Sequence, residues 1–185
     1  MNDINEIKTT VRKQAFAARK AVFATGRDAA AQAHMQRVLR DYSDAVLAGY
    51  LPIRTEIDPV PVMAVHQGPV GVPVILDAGQ PLAFHRWHAG CDLVEGPFGA
   101  RIPTQGAEVT PRVLIVPLVG FDARGYRLGY GGGFYDRTLA KLRATGPVLA
   151  LGFAFDAQEL PEVPIDAYDQ RLDGIVTETG VRLFS

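Results

Sequence analysis

Arg127-Leu128-Gly129-Tyr130-Gly131-Gly132-Gly133-Phe134-Tyr135-Asp136 is the stretch whose residue types and spacing point most directly to chemistry. Its glycines let backbone N–H groups approach phosphate oxygens closely, and a helix starting at Phe134 adds about half a positive charge at its N-terminus. Arg127 offers a two-pronged phosphate donor. Asp136, in the first helical turn, offers an oxygen ligand for Mg²⁺. By pattern alone, Gly129-x-Gly131-x-Gly133 suits a tight structural turn as well. It lacks the Lys-Ser/Thr ending of a P-loop and the glycine spacing of a dinucleotide fingerprint. Donor, glycines and carboxylate together point to a bound nucleoside triphosphate and its metal.

The elements that must position this stretch follow from periodicity. Val113–Val119 reads as a buried strand ahead of it, and Phe134–Ala144 as a helix with Leu139 and Leu142 inward and Arg137, Lys141 and Arg143 outward. Near the start of the chain, Asp3 and Glu6 resemble a capping box. Ile4, Ile7, Val11, Ala15, Ala18 and Val22 then recur at helical spacing, with Lys8, Arg12 and Arg19 on a bordering stripe that can reach into a cleft. Gly26 ends that helix, and a second runs over 28–42 with Met35, Val38, Leu39 and Tyr42 inward. Ala45–Tyr50 reads as a strand ending at Leu51-Pro52, where ligands collect in open α/β sheets. Glu56 lies in the loop beyond it, and Asp58-Pro59 starts a short helix.

Further strands are expected over 70–76, 82–86, 147–153, 174–177 and 181–184. The intervening stretch 91–103 reads as irregular. His85 and His88 fall on opposite faces of a strand and make a poor metal pair, and Trp87 and Phe98 read as satellite core or as a stacking platform. Strands alternating with helices predict a mostly parallel sheet covered on both faces.

With 185 residues, 48% of them hydrophobic, residues 1–185 can form a single domain around one good core. A formal net charge of −1 gives no support for nucleic-acid or anionic-lipid binding. The single cysteine, Cys91, excludes an internal disulfide and suits a reducing cytosol. No signal peptide or membrane-spanning run is read, so a cytoplasmic, soluble protein is expected.

Phe121-Asp122-x-x-Gly125-x-Arg127-Leu128-Gly129-Tyr130-Gly131-Gly132-Gly133-Phe134-Tyr135-Asp136-Arg137 resembles the signature of the 5-formyltetrahydrofolate cyclo-ligases, also called 5,10-methenyltetrahydrofolate synthetases. The likeness extends over essentially the whole chain. Lys8-x-x-x-Arg12 matches the family's N-terminal nucleotide-binding pair, and Leu51 and Glu56 match folate positions. Phe98-Gly99 matches a segment with an aromatic near the pterin, and Asp169 matches a second metal-linked aspartate. The chain departs from many members in having Phe134 where they have Tyr, and from some in having Gly132 where they have Lys. The loop at Arg101-Ile102-Pro103 lacks an acidic residue that often precedes the proline.

The resemblance implies a three-layer α/β/α sandwich of the NagB/RpiA/CoA-transferase type. It implies an ATP- and Mg²⁺-dependent ligase of one-carbon metabolism that cyclises 5-formyltetrahydrofolate to 5,10-methenyltetrahydrofolate, releasing ADP and phosphate. ATP would be held by Lys8, Arg12, Arg127, Leu128, Gly129, Tyr130, Gly131, Gly132, Gly133, Phe134 and Tyr135. Arg127 and Asp136 would be catalytic, Asp136 and Asp169 would serve the metal, and Leu51, Glu56, Phe98 and Tyr130 would meet the folate. A monomer is the expected state. A paralogue acting on another ATP-activated amide or formyl compound, and a non-catalytic folate- or nucleotide-binding module, are the competing expectations.

Overall fold

A computed structural model of the chain describes residues 4–184, except for the side chain of Phe98. Asp3, half of the expected capping box, lies outside the described residues. The chain runs α1 (Ile4–Phe23), α2 (Asp28–Leu39), β1 (Leu47–Ala48), α3 (Val60–Ala64), β2 (Val70–Val74), β3 (Ala83–Trp87), β4 (Leu93–Glu95) and β5 (Arg101–Pro103). It continues through β6 (Val113–Pro117), β7 (Gly120–Phe121), β8 (Arg127–Leu128), α4 (Phe134–Ala144), β9 (Leu149–Phe153), β10 (Gly174–Thr177) and β11 (Gly180–Leu183).

A seven-stranded sheet in the order β11-β10-β9-β6-β1-β2-β3 forms the middle layer. The inner strands pair in parallel, and β3 and β11 close the two edges antiparallel. Alternation along β6 shows how the layers are built. Val113 and Ile115 join one core with Met35 and Leu39 of α2 and Val62 and Met63 of α3. Leu114 and Val116 join a second core with Leu139 and Leu142 of α4. Successive strand residues point to opposite faces, so an uninterrupted apolar run such as 113–116 covers both. The expected sandwich with a mostly parallel sheet is what forms.

Four local expectations are corrected. The stretch 91–103 is an ordered antiparallel hairpin, Leu93 against Pro103 and Glu95 against Arg101, with a turn of 3₁₀ helix at Pro97–Gly99. The second helix tightens to 3₁₀ geometry at Arg40–Tyr42, which turns Tyr42 outward. On α1 the buried residues are Lys8, Ala15 and Arg19, while Ile7 is exposed. Both stripes are therefore covered, the apolar one at Ala15 and Val22 and the basic one at Lys8 and Arg19, because the helix lies on the core and on polar loop backbone at once. Finally, β6 does not feed the glycine stretch directly: a hairpin of β7 and β8 intervenes. Among the described residues, no helix is long and apolar enough to cross a membrane.

Candidate functional site

A cleft of about 650 Å³ opens where β1, β2 and β6 end, lined there by Tyr50, Leu51, Ile75 and Pro117. In sheet order β1 lies between β2 and β6, so successive connections leave β1 and β6 in different directions. Such a switch in strand order opens a crevice at the carboxyl edge. Helix α1 adds Lys8 and Arg12 to the walls, the loop 129–133 and the start of α4 add another side, and residues 166–170 add a third.

The β7–β8 hairpin sets the direction in which the glycine loop leaves the sheet. Its turn is stapled by the buried Asp122, whose carboxylate accepts the N–H groups of Arg124 (3.0 Å), Tyr126 (3.2 Å) and Val163 (2.9 Å). Gly133, at φ 65°, is the residue before α4, and no side chain caps the helix. Left-handed backbone there favours glycine, and an added Cβ would also stand 2.6 Å from Arg137 Nη1. A helix start leaves its leading N–H groups without intrahelical carbonyl partners. Here that start borders the cleft.

Cations and carboxylates in the cleft hold one another. Arg127 Nη2 donates to Asp136 Oδ1 at 2.7 Å, and its Nη1 donates to the Gln170 carbonyl at 2.6 Å. The Gln170 N–H donates to the same Asp136 oxygen at 2.9 Å. Lys8 Nζ donates to Asp169 Oδ2 at 2.7 Å and to Asp166 Oδ2 at 2.9 Å. Burial would lower the Lys8 pKa, but the two carboxylates outweigh it and raise the ammonium above its ordinary value. Conversely, the Lys8 hydrogen bond holds Asp166 below the ordinary carboxylate range. Arg12 Nε donates to the Gly129 carbonyl at 2.9 Å, and Arg137 Nη2 to that of Gly132 at 2.6 Å.

The donor chemistry fits Mg²⁺ of one kind only. Among the described residues, no group of three or more His, Cys, Asp and Glu side chains could cage a metal. Mg²⁺ usually takes one or two carboxylates, with water and phosphate oxygens completing its octahedron. Asp136 and Asp169 line the same cleft, and each uses one oxygen in the bonds above, leaving the other for a ligand.

At the Leu51 end, the buried Glu56 accepts the Ile53 N–H at Oε2 (2.9 Å) and the Tyr130 hydroxyl at Oε1 (2.9 Å). Burial raises its pKa, while those two hydrogen bonds and the charge of Arg19 pull it back. Burial, with help from the Glu56 charge, pushes the Tyr130 hydroxyl up to about 12. The Tyr135 hydroxyl is buried without a hydrogen-bond partner among the described residues, and its pKa is raised mainly by that burial.

The cleft thus brings together Lys8, Arg12, Leu51, Glu56, the whole run from Arg127 to Asp136, and Asp169. Phe98 sits in the Pro97–Gly99 turn, and its side chain is outside the description. Reading by sequence missed the cleft residues Tyr50, Asp166, Tyr168 and Gln170, and it placed Arg19 on the basic stripe without its link to Tyr130 and Glu56. Arg19 had a signal, its 4-3-4 spacing after Lys8, Arg12 and Ala15. The polar loop 166–170 carried no such signal.

Fold and cleft together define an open α/β sandwich with a glycine-lined crevice of paired cations and carboxylates at the carboxyl edge of its sheet. The chain belongs to the 5-formyltetrahydrofolate cyclo-ligase family, whose sequence model matches residues 4–178. It is similar to the 5-formyltetrahydrofolate cyclo-ligase of Escherichia coli K12, with 48% identity over 71 residues, 37% of each chain. The Mycolicibacterium smegmatis cyclo-ligase is 36% identical over 102 residues, 52% of this chain and 51% of that one. Among solved structures, the 5,10-methenyltetrahydrofolate synthetase of Aquifex aeolicus superposes with a TM-score of 0.76 at 28% identity, covering 96% of this chain and 92% of that one.

Proposed function

We propose that this protein uses ATP to cyclise 5-formyltetrahydrofolate to 5,10-methenyltetrahydrofolate. The observation that carries the reading is the convergence in one cleft of a glycine-lined helix start, the cations Lys8, Arg12 and Arg127, the carboxylates Asp136 and Asp169, and a buried acceptor, Glu56. Family membership supports the same chemistry.

A formyl group on nitrogen is a weak electrophile, and its oxygen is a poor leaving group. Attack of that oxygen on the γ-phosphorus of ATP, with ADP departing, changes both. N10 then attacks the activated carbon. Its proton and the former formyl oxygen leave as phosphate, and N5, carbon and N10 share the resulting positive charge. The protein's work is to position the reactants and compensate charge.

Backbone N–H groups of Gly129–Gly133 and the start of α4 hold the triphosphate, which Lys8 and Arg12 neutralise. Arg127, at the head of the loop, follows charge onto the transferring phosphoryl group. Asp136 and Asp169 hold Mg²⁺, which when bound neutralises phosphate charge. Leu51 and the Tyr130 ring pack on the folate, and Glu56 accepts hydrogen bonds from pterin N–H groups.

The test is an assay that follows ADP release and methenyl absorbance together, with and without Mg²⁺. Equal, metal-dependent production of both is expected. ADP without the methenyl chromophore would point to another ATP-activated amide or formyl compound. Ligand binding with neither product would point to a non-catalytic module.

A further inference from the structure

Arg19 is 1% exposed, as deeply buried as Asp122, yet unlike Asp122 it makes no direct ion pair among the described residues. Its Nε donates to Thr55 Oγ1 at 3.0 Å, its Nη1 to the Leu118 carbonyl at 3.2 Å and its Nη2 to the Tyr130 hydroxyl at 2.9 Å. An arginine only donates, and a phenol has one proton. With Arg19 donating to its oxygen, the Tyr130 hydroxyl points that proton at Glu56 Oε1, 2.9 Å away. The guanidinium also packs on the rings of Phe16 (5.1 Å) and Tyr130 (5.6 Å), which meet at 5.5 Å between centroids. Tyr130 is therefore fixed at both its ring and its hydroxyl.

Burying a cation beside neutral acceptors and ring faces alone is costly. A use for it lies one hydroxyl away. We propose that Arg19 is a positioning residue for substrate recognition, which acts through Tyr130 to orient Glu56 and keep its carboxylate an acceptor. The inference rests on the folate role proposed above for Glu56.

The electrostatics run the same way. Burial pushes the Glu56 carboxyl up, and the Ile53 N–H, the Tyr130 hydroxyl, Arg19 and Arg54 draw it down. The other titratable groups facing it are the hydroxyls of Tyr50 and Tyr135, whose ionisation it opposes. Removing Arg19 therefore raises the pH below which Glu56 is protonated and ceases to accept.

The test is calorimetric titration of the full chain with 5-formyltetrahydrofolate between pH 5 and 8, with ATP titrated in parallel. For Arg19→Met, the midpoint at which folate affinity falls should move up by about one unit, equivalent to about tenfold weaker binding below both midpoints. ATP affinity should stay within about twofold, and Arg19→Lys should restore only part of the midpoint, because lysine returns the charge but not the planar fork that reaches Thr55, Leu118 and Tyr130 together. Tyr130→Phe should shift the midpoint in the same direction, and an unmoved midpoint in that variant overturns the inference even if Arg19→Met does not fold. An unmoved midpoint, with folate binding weakened evenly at every pH, overturns the inference and leaves Arg19 a packing residue. Glu56→Gln separates the two readings. Weak folate binding in that variant with an unmoved midpoint in Arg19→Met removes only the Arg19 role, whereas unchanged binding in Glu56→Gln removes the folate assignment as well.

Discussion

Replacing Asp136 by Asn changes one oxygen to nitrogen and removes one charge. In the structure Asp136 Oδ1 accepts from Arg127 at 2.7 Å and from the Gln170 N–H at 2.9 Å, with side-chain exposures of 22% for Asp136 and 5% for Arg127. Asn keeps an oxygen able to accept there, and Arg127 keeps its bond to the Gln170 carbonyl. The loss is then one charge-assisted hydrogen bond, about 1.5–3 kcal/mol, below the cost of stranding a fully buried charge. For a chain of this length that corresponds to a Tm lower by about 3–12 °C. The functional effects should be opposite in the two metal conditions. In chelator, ATP should bind Asp136→Asn more tightly than the unmodified protein, because a repelling carboxylate is gone and the charge of Arg127 is no longer offset beside the phosphates. With Mg²⁺ present, the variant should lose turnover and the metal's enhancement of ATP affinity. Calorimetric titration of ATP in EDTA and in Mg²⁺, alongside the coupled assay, reads all three quantities. Near-normal Mg²⁺-dependent turnover would refute the metal role, and equal weakening of ATP in both conditions would reduce Asp136 to a structural partner of Arg127.

Three further outcomes are expected. Lys8→Ala should raise the KM for ATP about 10–100-fold, the loss of charge-assisted phosphate contacts, with the folate KM nearly unchanged; a parallel rise in both would remove its nucleotide-specific role. Asp122→Asn should destabilise the protein at neutral pH by about 2–4 kcal/mol, because buried donors lose a charged acceptor. Burial pushes Asp122 up, but the N–H groups of Val163 and Tyr126 and both donor sets of Arg124 outweigh it and hold the carboxyl below its ordinary range. A depressed carboxylate contributes stability above its unfolded pKa and loses it as pH falls through the folded value. Urea midpoints of Asp122→Asn and the unmodified protein should therefore converge below about pH 4. Gly133→Ala places a Cβ in left-handed backbone, at a cost of about 1–2 kcal/mol, and displaces Arg137; a lower Tm with a raised KM for ATP is expected, and an unaltered KM would dissociate the loop's shape from nucleotide binding.

What could be read without the structure divides along physical lines. Phe134–Ala144 was legible to the residue because glycines precede it and a 3.6-residue period runs through Leu139 and Leu142. The run Val113–Val116 declared a doubly covered strand because nothing polar interrupts it. Helix α1 misled: Ile7 fits an apolar stripe but is exposed, whereas Lys8 and Arg19 are buried. Periodicity assumes an apolar neighbour, and this helix rests partly on the core through Ala15 and Val22 and partly on carbonyls and carboxylates of loops distant in sequence. Hairpin 93–103 was lost because its strands are three residues each, too short to establish an alternation. The segment 166–170 has no period at all, and its placement depends on Asp136 and Lys8, which hold it from outside.

That last dependence has a kinetic side. Lys8 meets Asp166 and Asp169 across separations of 158 and 161 residues, nearly the whole length of the chain. Contacts so remote in sequence require the largest loops to close. The crevice is therefore expected to be the last region to take shape during refolding, behind a sheet already assembled. Ligands that bridge its walls should act as clasps on a late step, slowing reopening more than they hasten first closure.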